Sequence, residues 1–210
     1  MRRVILVRHG ESALNAANKH QKMLCGQFET PLTEYGRDQA RTVGKLLAGR
    51  ADLFITDAIS SRLGRARETL KLLLEHLPDQ PTLHDPHPDF NERSLGLFEG
   101  RLEDDVFREF PQYRDDPLLC RFRDDYEQKA PQGENLTDVT LRAWNAFDQF
   151  LLRTHGDVLI VSHCNTIRCL VARALCLSQS DSLRLHIRHA TPIVLQADDT
   201  YQLEGDLPLR

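Results

Sequence analysis

The stretch VILVRHGES, residues 4–12, decides how the rest of this chain is read. Its first four residues are aliphatic without alternation, the pattern of a strand buried on both faces of a parallel sheet. Arg8, His9 and Gly10 follow: a permanent cation, a titratable ring and a residue with no side chain. A second stretch, VLIVSHCNT at 158–166, repeats the form, with four aliphatic residues and then a histidine two places on. If both runs are neighbouring parallel strands, His9 and His163 meet beyond the carboxyl edge of the sheet, where such sheets bind ligands. Their separation in sequence then has no bearing on their separation in space.

The segments between them alternate strand and helix. Thr33 reads as the N-cap of a helix running to about Gly49, and 53–56 reads as a second apolar strand. In SRLGRARETLKLLLEHL, leucines at 63, 70, 73, 74 and 77 form a helical stripe that Pro78 stops. Residues 79–91, with prolines at 81, 86 and 88, allow only loop or short edge strand. About half of residues 101–129 are charged, so this part reads as an exposed, short-helical excursion. A helix over 135–153, a strand over 157–161, a helix over 166–177 and a last strand over 192–197 complete the chain. The pattern predicts an α/β fold: a three-layer sandwich with a mostly parallel central sheet flanked by helices, plus a short helical lid excursion. We expect a single domain over 1–210, with the lid at about 101–130.

Composition narrows the function. The chain has 210 residues, 40% of them hydrophobic, and a net charge of −4. That balance supplies no global field for nucleic acid or an anionic membrane, so an anion has to be held by a local cluster. The first apolar run is too short for a signal peptide, and no stretch approaches the ~18 residues of a membrane span, so a cytoplasmic chain is expected. Five cysteines with no CxxC pair argue against a disulfide framework or structural zinc; Cys169 and Cys176 read as buried, inert thiols.

Arg8 offers a five-donor fork suited to phosphate, and Gly10 permits close approach of a ligand. SSRLGRARET follows directly on the strand-like FITDA, so a helix N-terminus aims its N–H groups at the same sheet edge. Arg62, Arg65 and Arg67 are its candidate cations. Histidines 20, 76, 84, 87, 155, 186 and 189 are assigned structural roles, the ordinary case for a lone histidine.

RHGES at 8–12, Asn15, PLTEYGRDQA at 31–40, SSRLGRARET at 60–69, FNERSLGLFEG at 90–100, PQGEN at 131–135 and VSHCNTIR at 161–168 together resemble the motifs of the histidine phosphatase family, also called phosphoglycerate mutase-like. The likeness spans nearly the whole chain in the family's order. It implies that His9 is the nucleophile, transiently phosphorylated; that Arg8 and Arg65 hold the phosphoryl oxygens; that His163 is the second histidine of the pocket; that Glu92 is the proton donor; and that Asn15 reaches the phosphate. Arg62 falls at a variable position and is set aside. Glu99 is the rival to Glu92. Phosphoryl transfer spreads charge over the equatorial oxygens, which two arginines and a protonated His163 would stabilise with no metal and no cofactor. A backbone carbonyl accepting from one ring nitrogen would fix the attacking tautomer of His9.

The sequence departs from the family pattern at Cys164, where a small residue is usual, and at Glu29, where aspartate is common. The backbone N–H of Cys164 remains a phosphate donor. The excursion also resembles the bisphosphatase domain of the bifunctional fructose-2,6-bisphosphate enzymes. Glu92 and Glu134 lie 42 positions apart, which matches the shorter phosphatase-type excursion and favours hydrolysis over a cofactor-dependent mutase. A catalytically silent phospho-ligand binder is a third reading, disfavoured because a binder has no need of Glu92. Lys19, Lys22, Arg121, Arg123 and Tyr126 are candidates for the non-reacting end of a small phosphorylated substrate.

Overall fold

A computed structural model describes residues 2–18 and 22–209. Its central sheet is made of β1 (Arg2–Arg8), β3 (Ile55–Ser60), β4 (Thr82–Leu83), β6 (Asp157–Ser162), β7 (Pro192–Ala197) and β8 (Tyr201–Leu203), in the order β4-β3-β6-β1-β7-β8. β4, β3, β6 and β1 run parallel; β7 is antiparallel to β1, and β8 is antiparallel to β7. β2 (Met23–Leu24) and β5 (Arg101–Leu102) form a separate two-stranded ribbon.

The unbroken aliphatic runs are explained by what covers them. Val4 and Leu6 of β1, with Val158 and Ile160 of β6, face α6 (Leu136–Leu152) and α7 (Cys164–Ala174). Ile5 and Val7, with Leu159 and Val161, face α2 (Glu34–Ala48) and α3 (Gly64–Leu74). All eight side chains are fully buried, so neither strand has a polar face. The result is the expected three-layer α/β sandwich. Thr33 caps α2, its hydroxyl accepting from Gly36 N–H, and Asn135 with Asp138 closes a capping box on α6.

Three elements differ from the sequence reading. β3 begins at Ile55 and extends to Ser60, because Phe54 is exposed and the polar Thr56 and Asp57 sit at a register irregularity whose side chains bond sideways. α7 starts at Cys164 with His163 as its N-cap residue, two residues earlier than expected. A last strand, β8, closes a hairpin on β7.

The excursion contains α4 (Glu103–Glu109) and α5 (Gln112–Asp115) and is not merely exposed. Phe98, Val106, Tyr113 and Phe122 pack with Leu24 and Leu95 into a small core of its own. Phe98 stands at its centre, with ring centroids of Phe110, Tyr113 and Phe122 at 5.3, 4.9 and 5.5 Å. α1 (Ala13–Ala17) and α8 (Gln179–Arg184) complete the helices. Among the described residues no helix is long and apolar enough to cross a membrane.

Removing the Phe98 ring leaves a cavity that this small cluster has few atoms to fill. Phe98→Ala is expected to cost about 3–5 kcal/mol in urea unfolding, and to raise proteolytic cleavage within residues 101–130 before the sheet unfolds.

Candidate active site

The carboxyl ends of β1 and β6 are adjacent, with Arg8 opposite Ser162 in register and His9 N–H donating to the Ser162 carbonyl at 3.0 Å. This brings the His9 and His163 rings to a centroid distance of 4.9 Å, tilted by 56°. Gly10 is needed here for packing rather than ligand approach: a Cβ on it would stand 2.2 Å from the Gly36 carbonyl oxygen at the start of α2.

His9 Nδ1 donates to the carbonyl of Gly10 at 2.7 Å, which leaves Nε2 with the lone pair. Nε2 accepts from Nε of Arg65 at 3.3 Å. Arg65 is only 2% exposed, and its other nitrogens donate to the carbonyls of Phe28 (2.9 Å) and Gly26 (3.0 Å). Arg8 donates through Nη1 to Ile187 O at 2.8 Å, while its buried Nε has no partner. Burial first, and then His163, Arg65 and Arg8, hold the His9 pKa well below its ordinary 6.5, so its ring is neutral.

His163 is expected as the cation of the pair when it faces a phosphate; in the protein alone, burial, followed by Arg65, Arg8 and Arg142, holds its pKa well below 6.5. Burial and these three arginines favour the neutral ring in the protein alone. Its Nε2 lies 2.6 Å from Ser61 Oγ, and its buried Nδ1 has no partner.

Arg8, His9, Asn15, Arg65, Glu92 and Arg123 line one cavity of about 240 Å³. Glu92 accepts from Arg93 N–H at 2.8 Å and from Asn165 N–H, in the first turn of α7, at 3.2 Å. Glu99 is not on the cavity; its Oε1 accepts from Gln27 N, Leu95 N and Ser94 Oγ and serves the loop. Asn15 closes the capping box of α1 with Ser12 and faces the cavity from that helix. A larger hollow of about 820 Å³ lies between α3 and β4, away from this histidine pair. The smaller cavity is the better candidate, because the buried cations and the carboxylate converge there.

The rim candidates separate. Arg123 reaches the cavity, but its guanidinium is paired with Glu103 at 2.7 Å. Arg121 does not reach it; its exposed side chain pairs with Asp125 at 2.9 Å. Tyr126 is also off the cavity, its hydroxyl donating to Ser182 Oγ at 2.7 Å. Lys22 is exposed and off the cavity, and Lys19 lies outside the described residues. The Cys164 thiol packs against the core beside α6 rather than on the cavity, and burial pushes its pKa up. Cys169 is buried as expected, whereas Cys176 is exposed at a positive φ of 53°. Arg62 and Arg67 are exposed. The first N–H of α3 is taken by Glu29, at 3.1 and 3.2 Å, and is not aimed at the cavity.

Some residues of the site were not singled out in the sequence. Asn165 and Asp124 line the cavity, and His189 packs 5.4 Å from the His9 ring while its Nδ1 donates to His9 O at 2.9 Å. The dipeptide Arg188-His189 just before β7 copies Arg8-His9, a signal that was available. Ser61 carries no signal in the sequence beyond its place in SSRLG.

With this geometry in place, the chain is a member of the histidine phosphatase superfamily (branch 1), whose family model matches residues 4–203. It is similar to 2,3-bisphosphoglycerate-dependent phosphoglycerate mutase 2 of Gloeobacter violaceus, 31% identical over 205 residues that cover 94% of this chain and 88% of that one. Among solved structures it resembles YhfR of Bacillus stearothermophilus (TM-score 0.80, 26% identity, 97% and 95% of the two chains). It also shares the fold of the alpha-ribazole phosphatase of Shigella flexneri (TM-score 0.79, 24% identity, 98% and 96%). Family members include phosphatases and mutases.

Two buried neutral histidines make stability depend on pH. Between pH 6.5 and their lower folded values the unfolded chain binds more protons, so stability is lost as pH falls. Each ring is expected to contribute a slope of about 1.4 kcal/mol per pH unit in that window. Denaturant unfolding at pH 7.5 and 5.5 should therefore show a smaller acid loss for His163→Gln than for wild type.

Proposed function

We propose that this chain hydrolyses phosphate monoesters of small metabolites through a phosphohistidine on His9, without a metal. The observation that carries this reading is the fixed tautomer of His9: Nδ1–H is committed to Gly10 O, and the lone pair of Nε2 stands beside Arg65 in the cavity that holds Glu92.

In the proposed reaction, His9 Nε2 attacks phosphorus and the ester oxygen leaves with a proton from Glu92. A water then gives its proton to Glu92 and attacks the phosphohistidine, releasing inorganic phosphate and restoring the ring. Arg8 and Arg65 hold the equatorial oxygens throughout, the role that metal ions fill in other phosphoryl transfers. The incoming phosphoryl dianion meets the charge of Arg8 and Arg65. The substrate is a small phosphorylated molecule; a net charge of −4 gives no reason to invoke nucleic acid or membrane.

Mutase activity is the second reading, favoured by the name of the Gloeobacter relative. A mutase must retain a bisphosphorylated intermediate and therefore needs a second anion locus. The lid arginines Arg121 and Arg123 are already paired with Asp125 and Glu103, which supports hydrolysis.

A panel of phosphate esters, read as released phosphate with and without chelator, tests the proposal. Wild type should turn over with chelator present, and His9→Ala, still folded, should lose about three orders of magnitude or more. Glu92→Gln should lose about 10²–10⁴-fold on alkyl phosphates and much less on an aryl phosphate, whose leaving group needs no proton. Isomerisation of 3-phosphoglycerate faster than phosphate release would decide for the mutase.

A further inference from the structure

We propose that Ser61 is a positioning residue that holds His163 as its Nδ1–H tautomer, so that a neutral ring presents a hydrogen-bond donor to the phosphoryl group. This rests on the reading above that the cavity receives a phosphoryl group.

Ser61 follows β3 directly and is fully buried. Its backbone is fixed on both sides: its N–H donates to Val161 O at 3.0 Å, and it bridges His87 in the opposite direction. The hydroxyl lies 2.6 Å from His163 Nε2 and accepts from Leu63 N–H at 3.3 Å. A serine hydroxyl has one proton and two lone pairs. Leu63 occupies a lone pair, and Nε2 is the acceptor within reach among the described residues, so the hydroxyl proton goes to Nε2. The ring's own proton is then on Nδ1.

Nδ1 is buried without a protein partner, on a ring 4.9 Å from that of His9. Buried polar ring atoms are normally bonded, and an orphan on a ring packed against His9, which lines the cationic cavity, calls for a ligand. As N–H it donates to a phosphoryl oxygen; as a bare lone pair it would repel one. Left to itself, a neutral imidazole in water favours the proton on Nε2, the form that fails here. His9 and His163 thus share one tautomer and use it in opposite ways. His9 attacks with its unprotonated Nε2, and His163 donates from its protonated Nδ1.

Charged and titratable groups facing His163 are Arg8 and His9 after β1, Arg65 on α3, Arg142 on α6 and Glu92, whose carboxylate meets Asn165 N–H. All are unchanged between Ser61→Thr and Ser61→Ala, so the ratio of these two variants at one pH cancels their titration.

The test uses ¹⁵N imidazole spectra of His163 together with inorganic phosphate binding, in wild type, Ser61→Thr and Ser61→Ala. Wild type and the threonine variant should show a protonated Nδ1; the alanine variant should show the proton on Nε2 and bind phosphate about 10- to 100-fold more weakly at pH 8. A protonated Nε2 in wild type overturns the proposal, as does an alanine variant that keeps both Nδ1–H and wild-type phosphate affinity. Neither reading requires turnover, so a protein with the expected tautomer and phosphate affinity that hydrolyses no ester would refute the proposed reaction and leave this inference standing.

Discussion

The parallel pairing of β1 with β6, in the register that sets Arg8 against Ser162, is the constraint on which the site depends. A slip of one residue would turn Val4 and Leu6 from the α6–α7 face to the α2–α3 face, and every buried side chain of the strand would be misplaced. The register is therefore fixed by the core, and the two histidines inherit it. The last bond of this ladder, His9 N–H to Ser162 O, already belongs to the site. Beyond it the chain has little choice of direction, because Gly10 passes against Gly36 at the start of α2 with no room for a Cβ on either.

Charge is then arranged so that neither Arg8 nor Arg65 is paired with a carboxylate. Arg65 is buried against two carbonyls and an imidazole rather than against a carboxylate, so its donors are satisfied while its charge is not cancelled. Arg8 is likewise bonded to a carbonyl. Burial first, and then the positive field this leaves, lowers the pKa of both histidines. A chain of net charge −4 can hold an anion in this way, because the field is local and shielded from solvent by the sheet edge.

What the sequence disclosed follows from the range of the forces involved. Strands buried on both faces cannot be polar anywhere, so VILV and VLIV were legible, and so were the capped helices α2 and α6. β3 was misplaced because its polar Thr56 and Asp57 are satisfied by partners that no pattern reveals, Asp57 by His84 at 2.7 Å. The motifs single out Arg8, His9, Arg65 and Glu92, and the fold brings these four around one cavity. How many cations the fold gathers around the His163 ring is a tertiary quantity that no motif carries. Tyr126 and Arg121 stand off the cavity for a related reason: on a charged excursion, a polar side chain serves its nearest intramolecular partner as readily as a ligand.

The division between the cup and its rim also bears on how reaction and substrate choice are separated. The cup stands on the central sheet, whereas the rim stands on an excursion with its own aromatic core, joined to the rest by the short β2–β5 ribbon and by the hydrogen bond from Arg93 to Phe122 O. Pairs such as Arg123 with Glu103 and Arg168 with Asp124 set the polarity of the rim without touching His9 or Arg65. Changes in the excursion can therefore alter the rim while the cup stays intact, because the two regions draw on different cores. This separation gives a physical reason why members of one superfamily, built on the same sheet, include both phosphatases and mutases.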